Sequence, residues 1–405
     1  MSFREVRPFA LALALCVIAL LPAGIFANAA GPQRTVLAVT NPTSLSRPEE
    51  VLEVPLAAIE SKLPGAAPAD LRVENLATHQ SLPVQLESRV PGTPTDQLLV
   101  LVSLAPHQTI RLAFNAAHEP TKFTSLVYGR VVPERMDDFA WENDKVAYRV
   151  YGPALQATGE ITSGIDVWSK RVPDLIINAW YNRDAEGQRM HNPALSYHKD
   201  QGQGLDSYEV GPTRGCGGTG LWQNGRLFVS KNYVSAEVIS NGPIRFRFRL
   251  RYAPWVADGV EVSEQKIVTL DAGSHLNRIE STFTFSGAQS SGNKPVQWAA
   301  GLAMHKNAHL TTADHSGILS VWEPLTLPTA GMTGTAIVLE PGRTAASTQA
   351  QGDALVLLPA TPGTPITYYA GAAWSKADIP DQAAWNRYLQ EFRERLAHPL
   401  KTSWK

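Results

Sequence analysis

The densest group of ionisable side chains in the sequence lies in the segment from residue 197 to residue 220, which also contains eight glycines and prolines. Its chemically active residues are Tyr197, His198, Lys199, Asp206 and Tyr208. So much glycine does not suit a regular β-ladder, and loops that carry ionisable groups on a rigid scaffold commonly bind ligands or catalyse reactions. We therefore predict a functional loop. The alternative is a loop held by its own ion pairs, such as Lys199 with Asp206.

Two residues of this loop have specific candidate roles. His198 lies beside Lys199, and a histidine in such a place can act as a general acid or base near neutral pH. Arg214 presents a planar fork of donors that matches a carboxylate or sulfate, with Asp200 or Asp206 as its alternative partner.

A second candidate site follows the apolar run 298–304, where His305 and Lys306 come at the end of a predicted strand. Further candidates for contact with a substrate are Trp168, Lys170, Arg171 and Tyr181. Tryptophan and tyrosine rings can stack on sugar rings, and Trp180, Trp222 and Trp255 are further candidates, although any one of these residues is more readily a core residue.

Metal and cofactor chemistry has weak support in the sequence. His198, Asp200, Asp206 and His305 are candidate ligands of a divalent metal, but no His-x-His or His-Glu-x-x-His spacing occurs. No Gly-x-Ser-x-Gly motif occurs either, so serine hydrolase chemistry is not indicated. We expect no cofactor, with a divalent metal as the open alternative.

The first 29 residues predict export. Arg4 and Arg7 precede an uncharged apolar run from Phe9 to Phe26, and Ala27-Asn28-Ala29 provides a small-x-small cleavage pattern. A membrane anchor is the alternative, but Pro22 and Gly24 interrupt a run that is barely long enough to span a bilayer. We predict a cleaved signal peptide at 1–29, a periplasmic or extracellular location, and no membrane contact after cleavage.

Composition limits the partners of the mature chain. The 405 residues include 36 Lys and Arg and 37 Asp and Glu, a net charge of −1, which gives no electrostatic case for nucleic acid. One of the two cysteines lies in the predicted signal peptide, and Cys216 alone can form neither an internal disulfide nor a cysteine-type zinc site.

The apolar pattern predicts an all-β chain, an antiparallel β-sandwich with many short strands separated by turns. We place an N-terminal β region at 30–120 and a main sandwich domain at 121–405. Residues 244–252 alternate apolar residues with arginines, which predicts a strand with a solvated arginine face. No helical pattern of convincing length occurs before residue 380. A helix over 381–397 is then predicted to pack on the sandwich, with Asp381 as its cap.

Several segments resemble the domain-of-unknown-function family 4861 of bacterial secreted proteins. They are residues 141–144, 148–153, 163–168, 197–200 with Gly202, Gly204 and Asp206, residues 211–212 and 214–218, residues 241–244, and residues 369–374. The resemblance runs from about residue 120 to the end. It implies genes among polysaccharide-degradation clusters and a fold similar to the galactose-mutarotase and polysaccharide-lyase supersandwiches.

The resemblance further implies an oligosaccharide dehydratase that removes water from a non-reducing-end uronic acid to leave a 4,5-unsaturated sugar. The role assignments are our own hypotheses. Arg214 and Lys199 would clamp the carboxylate, His198 would remove the C5 proton with His305 as alternative base, and Tyr208 or Tyr197 would protonate the leaving oxygen.

Three other readings remain open at this point. They are a polysaccharide lyase, a mutarotase or epimerase that would use a histidine with Glu323 or Glu142, and a non-catalytic carbohydrate-binding protein. In each case the expected partner is an oligosaccharide or polysaccharide.

Overall fold

The computed structural model describes Met1 and residues 34–116, 122–286, 296–312 and 316–405. Apart from Met1, the predicted signal peptide lies outside these ranges, as does the predicted boundary near residue 120. Within these ranges no helix is long and apolar enough to cross a membrane. Antiparallel sheets dominate the described chain, which confirms the predicted all-β class.

Residues 34–116 form two sheets that share a hydrophobic core of their own. Their elements are β1 (Arg34–Thr40), β2 (Arg47–Pro55), α1 (Leu56–Glu60), β3 (Leu71–Asn75), β4 (Gln80–Ser81), β5 (Val84–Glu87), β6 (Gln97–Leu104) and β7 (Thr109–Ala116). One sheet has the order β1-β7-β3-β4 and the other the order β2-β6-β5. Because side chains alternate along each strand, one face of each sheet supplies the core, with Val39 and Phe114 fully buried.

The next sheet, here called the site sheet, is built from residues 127–206. It contains β8 (Val127–Val132), β9 (Asp138–Asn143), β10 (Ala147–Val150), β11 (Asp166–Lys170) and β12 (Gly204–Asp206), together with the helices α2 (Pro153–Gln156) and α3 (Ile177–Met190). The strands are antiparallel neighbours in the order β12-β11-β10-β9-β8. Phe139 and Trp141 pack into the main core, while Trp180 and Tyr181 of α3 pack on Trp168.

Two larger sheets form the main sandwich. Their strands are β13 (Cys216–Gln223), β14 (Arg226–Phe228), β15 (Tyr233–Asn241), β16 (Arg245–Tyr252), β17 (Trp255–Ala257), β18 (Val260–Asp271), β19 (Leu276–Ser286), β20 (Gln297–Ala303), β21 (His309–Thr311), β22 (Ile318–Pro324), β23 (Met332–Leu339), β24 (Ala346–Ala350), β25 (Asp353–Pro359) and β26 (Ile366–Trp374). The nine-stranded sheet has the order β15-β16-β18-β19-β26-β23-β22-β21, with β17 paired to β18, and the five-stranded sheet has the order β14-β13-β20-β25-β24.

The chain ends with α4 (Gln382–Ala397) and β27 (Lys401–Trp404). The Asp381 carboxylate accepts a hydrogen bond from the Ala384 amide at 2.8 Å, so the predicted cap is present. Trp385 and Leu389 are fully buried against the nine-stranded sheet, which confirms the predicted C-terminal helix. Strand β27 then pairs with β1 and joins the end of the chain to the N-terminal sheets.

The arginine face of β16 differs from the predicted solvated surface. Arg245 forms ion pairs with Asp271 on the neighbouring strand and with Glu53 of the N-terminal sheets. Arg247 is 7% exposed and donates to backbone carbonyls at Ser88 and Arg89. The prediction was wrong for these two arginines because the N-terminal sheets cover this end of the strand.

Helix α3 also contradicts the expectation of no helix before residue 380. Its buried positions Ile177, Trp180, Tyr181, Asp184 and Gly187 recur at the spacings of one helical face. Two of these five positions hold an acid and a glycine, so the face does not appear as an apolar stripe in the sequence.

The cap of α4 provides a direct test of this description. Asp381→Ala removes the acceptor for the Ala384 amide and should lower the free energy of unfolding by about 1 kcal/mol. Asp381→Asn keeps a hydrogen-bond acceptor, so its free energy of unfolding should fall much less. Urea unfolding of both variants measures the difference, and equal losses would show that the hydrogen bond is not the stabilising feature.

Candidate functional site

Two clefts open beside the site sheet and share His198 and Glu160 in their walls. The first cleft measures about 720 Å³ and is lined by Arg149, Tyr151, Lys199, Asp206, Tyr208 and Glu209. The second cleft measures about 820 Å³ and is lined by Glu134, Arg135, Tyr181, Asp184, Gln188 and Asn192. Both volumes fall in the range of ligand-binding pockets, about 300–1,000 Å³.

His198 is held by the strand that follows it in the chain. Its Nδ1 lies 3.0 Å from the backbone carbonyl oxygen of Asp206, and its side chain is 56% exposed. A carbonyl oxygen can only accept a hydrogen bond, so Nδ1 carries the proton in this contact and Nε2 keeps the lone pair. The ring also packs on Tyr197, with 4.6 Å between the ring centroids. His198 therefore has the orientation and the tautomer of a general base.

Below His198, the buried Arg149 guanidinium joins three carboxylates from neighbouring strands. Its Nη2 lies 2.6 Å from Asp166 Oδ2 and 3.0 Å from Asp206 Oδ2. Its Nη1 lies 3.9 Å from Asp138 Oδ2 and donates to the Tyr197 hydroxyl at 3.3 Å. The strands β9 to β12 each contribute one charged member, so this cluster fixes their relative positions.

The carboxyl groups of this cluster outnumber its central guanidinium, and burial makes their charged forms costly. Burial, with the charge of Asp166 beside it, holds the pKa of the Asp206 carboxyl well above its usual range. Burial likewise raises the pKa of Asp138 to about 6, although Arg149 and Arg135 oppose the rise. The cluster therefore retains protons at pH values where exposed aspartates are fully ionised.

Lys199 and Tyr208 line the first cleft with groups that are free for a ligand. No described residue forms an ion pair or hydrogen bond with the Lys199 ammonium, and the predicted Lys199–Asp206 pair is absent because Asp206 binds Arg149. The Tyr208 hydroxyl is buried without a hydrogen-bond partner among the described residues. Burial raises its pKa well above the usual value, so the hydroxyl keeps its proton.

Tyr197, the other predicted acid, has a different environment. Its hydroxyl oxygen accepts hydrogen bonds from Arg149 at 3.3 Å and from Arg135 at 3.4 Å, and its ring stacks on Trp168. The residue is 3% exposed and lines the second cleft, not the first. These contacts give Tyr197 the role of holding two guanidinium groups in place.

His305 has both ring nitrogens occupied. Nδ1 lies 2.6 Å from Glu323 Oε1, and Nε2 lies 2.7 Å from the backbone oxygen of Glu209. The Glu323 carboxylate raises the pKa of His305, which favours the doubly protonated imidazolium that donates in both directions. With no free lone pair, His305 is unsuited to the predicted role of alternative base. It instead ties the loop that carries Tyr208 to strand β22.

The structure also places Arg214 away from the predicted carboxylate clamp. Arg214 is 1% exposed, and its guanidinium donates to the Ser163 hydroxyl and the Pro212 carbonyl oxygen. Its backbone amide donates to Asp353, so neither Asp200 nor Asp206 is its partner. Arg214 supports the loop from the core.

Four other candidate contact residues have internal partners. The Lys170 ammonium lies 2.9 Å from Glu142 and is fully buried, while Arg171 pairs with Asp200 and lies over the ring of Trp374. Trp168 and Trp180 are completely buried and stack on each other, so neither can receive a sugar ring in this conformation. Trp168, Lys170, Arg171 and Tyr181 were predicted from the sequence to contact a substrate. Of these, Tyr181 alone lines one of the two clefts.

Glu142 has a structural role that cannot be recognised from the amino-acid sequence. Its two carboxylate oxygens accept the backbone amides of Ile176 and Ile177, each at 2.8 Å, at the start of α3. The helix dipole and the Lys170 ammonium both favour this buried negative charge. Glu142 thus positions the helix that covers the site sheet.

The described residues contain no group of three or more metal-ligating side chains. Of the four candidate ligands, Asp200 pairs with Arg171, Asp206 with Arg149 and His305 with Glu323. The histidines and carboxylates considered from sequence therefore do not converge on one point.

The glycines of the 197–220 loop allow close approach between backbones. A Cβ atom on Gly204 would lie 2.0 Å from the Ser169 carbonyl oxygen, and one on Gly215 would lie 2.2 Å from that of Ile165. Both glycines also have positive φ. These two glycines therefore serve the close packing of strands.

Sequence reasoning missed Arg149, Asp166 and Asp138 as members of the site. The first two lie in segments that carried the family resemblance, and their alternation with apolar residues is that of ordinary strands. The usable signal was a charged residue beside apolar residues in a short strand, Arg149 within β10 and Asp166 at the start of β11.

Comparisons with known proteins agree with the fold. A family model described as "Domain of unknown function (DUF4861)" matches residues 39–402, including the N-terminal sheets that the sequence resemblance left out. A curated protein from Formosa agariphila, "Uncharacterized protein P7", is 32% identical over 387 residues, covering 92% of this chain and 93% of that protein.

Two solved structures from Enterococcus faecalis show the same arrangement of strands. One is an alpha-mannosidase with a TM-score of 0.52, and the other is a protein in glycosyl hydrolase family 38 with a TM-score of 0.51. Each is 10% identical and covers 92% of this chain. The chain spans about half the length of these structures, at 46% and 47%, and the likeness concerns the fold.

The pKa of Asp138 gives a testable pH dependence of stability. Its folded value of about 6 exceeds the ordinary value of 3.8, so the folded state holds a proton that the unfolded state releases between these values. The stabilisation is complete below pH 3.8 and is lost as the pH rises through 6, by up to about 3 kcal/mol. Asp138→Asn does not titrate, so its urea midpoint should fall less than that of the wild type between about pH 4 and pH 7. Equal falls would contradict this assignment.

Proposed function

The chain belongs to domain-of-unknown-function family 4861, and we propose that it is an exported carbohydrate-active enzyme, a dehydratase acting on a non-reducing-end uronic acid. The product would be an oligosaccharide with a 4,5-unsaturated terminal sugar. The observation that carries this proposal is the first cleft, which is lined by an oriented His198, by Lys199, whose ammonium pairs with no described residue, and by Tyr208, whose buried hydroxyl has no described partner.

His198 would remove the C5 proton. Elimination from a uronate begins at the carbon next to the carboxylate, where the C–H bond is weakly acidic and a positioned base is required. The hydrogen bond from Nδ1 to the Asp206 carbonyl oxygen leaves the lone pair on Nε2, and the exposed ring lines the cleft.

Lys199 would bind the substrate carboxylate. As the C5 proton leaves, negative charge spreads onto the carboxylate oxygens, and a nearby cation stabilises this state more than the ground state. Lys199 is suited to this task because its ammonium is not neutralised by any described residue. Because Arg214 is buried in the core, Lys199 would bind the carboxylate without Arg214, the second cation predicted from the sequence.

Tyr208 would protonate the leaving oxygen. The electron pair of the C5–H bond becomes the C4=C5 double bond, and the pair of the C4–O bond leaves with the oxygen. The Tyr208 proton converts this oxygen into water, and the proton gained by His198 returns to the tyrosinate through solvent. Burial keeps the Tyr208 hydroxyl protonated until that step.

The comparisons support a carbohydrate substrate at the level of fold. The two neighbours are described as an alpha-mannosidase and a protein of glycosyl hydrolase family 38, and their likeness covers nearly the whole chain. The predicted signal peptide supports a periplasmic or extracellular location, where such substrates are met.

A mutarotase or epimerase has less support from the site. The two carboxylates considered for that chemistry are engaged elsewhere, Glu142 with the start of α3 and Glu323 with His305. A chain-cleaving lyase would share the first proton transfer, so the length of the product distinguishes it from a dehydratase. A binding protein would show affinity without turnover.

The decisive assay follows ultraviolet absorbance of the conjugated unsaturated uronate during incubation with uronate-ended oligosaccharides. A rise with unchanged oligomer length supports the dehydratase, and a rise with shorter products identifies a lyase. Preincubation with a chelator tests for a metal, and an unchanged rate is the expected result. Absence of any rise across the uronate panel would overturn the proposal.

His198→Gln should lower kcat by at least about 100-fold, the usual contribution of a general base. His309→Gln is the matched control, since His309 is an exposed histidine on β21 outside both clefts, and it should retain wild-type kcat. Full activity of the His198 variant would remove this residue from the mechanism.

Lys199→Met should lower kcat/KM on uronate-ended substrates by about 10- to 100-fold, because the charge-assisted contact with the carboxylate is lost. Lys199→Arg keeps the charge and should recover a large part of this loss. If the two variants were equally impaired, the charge of Lys199 would not be what the substrate requires.

A further inference from the structure

We propose that the second cleft binds the sugar unit next to the terminal uronic acid, and that it favours a neighbouring sugar without charge. This inference rests on the proposed function, since it assigns the uronic acid to the first cleft. It adds the length of substrate that the enzyme recognises and the residues that select it.

The two clefts adjoin at the catalytic candidate. His198 and Glu160 lie in the walls of both, so a sugar chain that extends past His198 from the first cleft comes next to the second. Each cleft alone has the volume of a small-molecule site, and together they exceed what one sugar ring requires.

Each cleft contains one buried tyrosine whose hydroxyl lacks a partner. Tyr208 lines the first cleft and Tyr181 the second, and both hydroxyls are without hydrogen bonds among the described residues. An unsatisfied buried hydroxyl is costly, and a hydroxyl-rich ligand would remove that cost. Because a tyrosine hydroxyl lacks a hydrogen-bond partner in each of the two adjoining clefts, we assign one hydroxyl-rich ligand to both.

Neighbouring polar groups in the second cleft are already fixed for recognition. The Gln188 amide donates to the buried Asp184 carboxylate at 2.6 Å, and the Asn192 side-chain oxygen accepts the Ala194 amide at 3.1 Å. Both amide side chains are thereby oriented before a ligand arrives, which reduces the entropy lost on binding.

The charge of the second cleft selects against anions. Three carboxylates line it, on Glu134, Glu160 and Asp184, against one guanidinium on Arg135, and of the three Glu134 is also paired with Arg130 outside the cleft. That guanidinium already donates to the Tyr197 hydroxyl. A sulfate or carboxylate on the neighbouring sugar would meet an excess of negative charge, whereas neutral hydroxyls can donate to these oxygens.

The test compares kcat/KM for a uronate-ended disaccharide with kcat/KM for the methyl glycoside of the same uronic acid. Tyr181→Phe removes only the unpartnered hydroxyl and should lower this preference ratio by about 3- to 10-fold, mainly through KM of the disaccharide. Tyr128→Phe is the matched control on β8, outside both clefts, and should leave the ratio unchanged. An unchanged ratio in Tyr181→Phe would overturn the assignment.

Charge selection is tested with two disaccharides that differ only in a sulfate on the second sugar. The neutral form should have at least about tenfold higher kcat/KM, and Glu134→Gln should narrow the difference. A sulfated substrate that is equally good or better would refute the charge preference.

Failure of this inference can be separated from failure of the proposed function. If no substrate gains absorbance, the dehydratase proposal fails, and calorimetric binding of the same saturated sugars still tests the second cleft. Tighter binding of the neutral disaccharide than of the methyl uronoside, reduced by Tyr181→Phe, would support the cleft assignment. Equal binding of both sugars would overturn it.

Discussion

The site depends on one buried guanidinium. Arg149 on β10 binds Asp166 on β11 and Asp206 on β12, and lies 3.9 Å from Asp138 on β9. A buried ion pair contributes little net stability after its desolvation cost, but removing one partner leaves an uncompensated charge. The four strands are therefore held in the one register that keeps all four groups together. Strand β12 is only three residues long, and the Asp206–Arg149 pair attaches it to the sheet in addition to its short ladder with β11.

The position of His198 follows from that attachment. The backbone oxygen that orients its imidazole belongs to Asp206, the same residue whose side chain binds Arg149. On the same face of the site sheet, α3 begins at the two backbone amides that donate to the Glu142 carboxylate, and it brings Tyr181 to the second cleft. Two buried acidic residues, Asp206 and Glu142, thus position His198 and Tyr181 in the walls of the clefts proposed to bind the substrate.

Local features were predictable from the sequence, and long-range partners were not. The cap of α4 at Asp381 and the apolar stripe along the 16 residues of the helix are local in the sequence and could be identified directly. His198, Lys199 and Tyr208 are near neighbours in the chain, and all three line the first cleft. The choice between Arg149 and Arg214 could not be made, because both lie in polar segments and only tertiary contacts decide which one meets the aspartates. Arg245 and Arg247 of β16 were misread for the same reason, since the surface that covers Arg247 comes from residues about 160 positions earlier in the chain.

The contact that orients His198 bears on its proposed role as a base, because a carboxyl group lies beside the ring. Asp206 Oδ2 lies 3.6 Å from Nδ1, and a charged carboxylate at that distance would favour the imidazolium, which cannot accept a proton. Burial and the neighbouring Asp166 instead hold the pKa of Asp206 high, so its negative charge is suppressed. The tautomer is set by a carbonyl oxygen, whose accepting character does not change with pH. The backbone oxygen of Asp206 thus orients the His198 ring, while the Asp206 side chain holds Arg149.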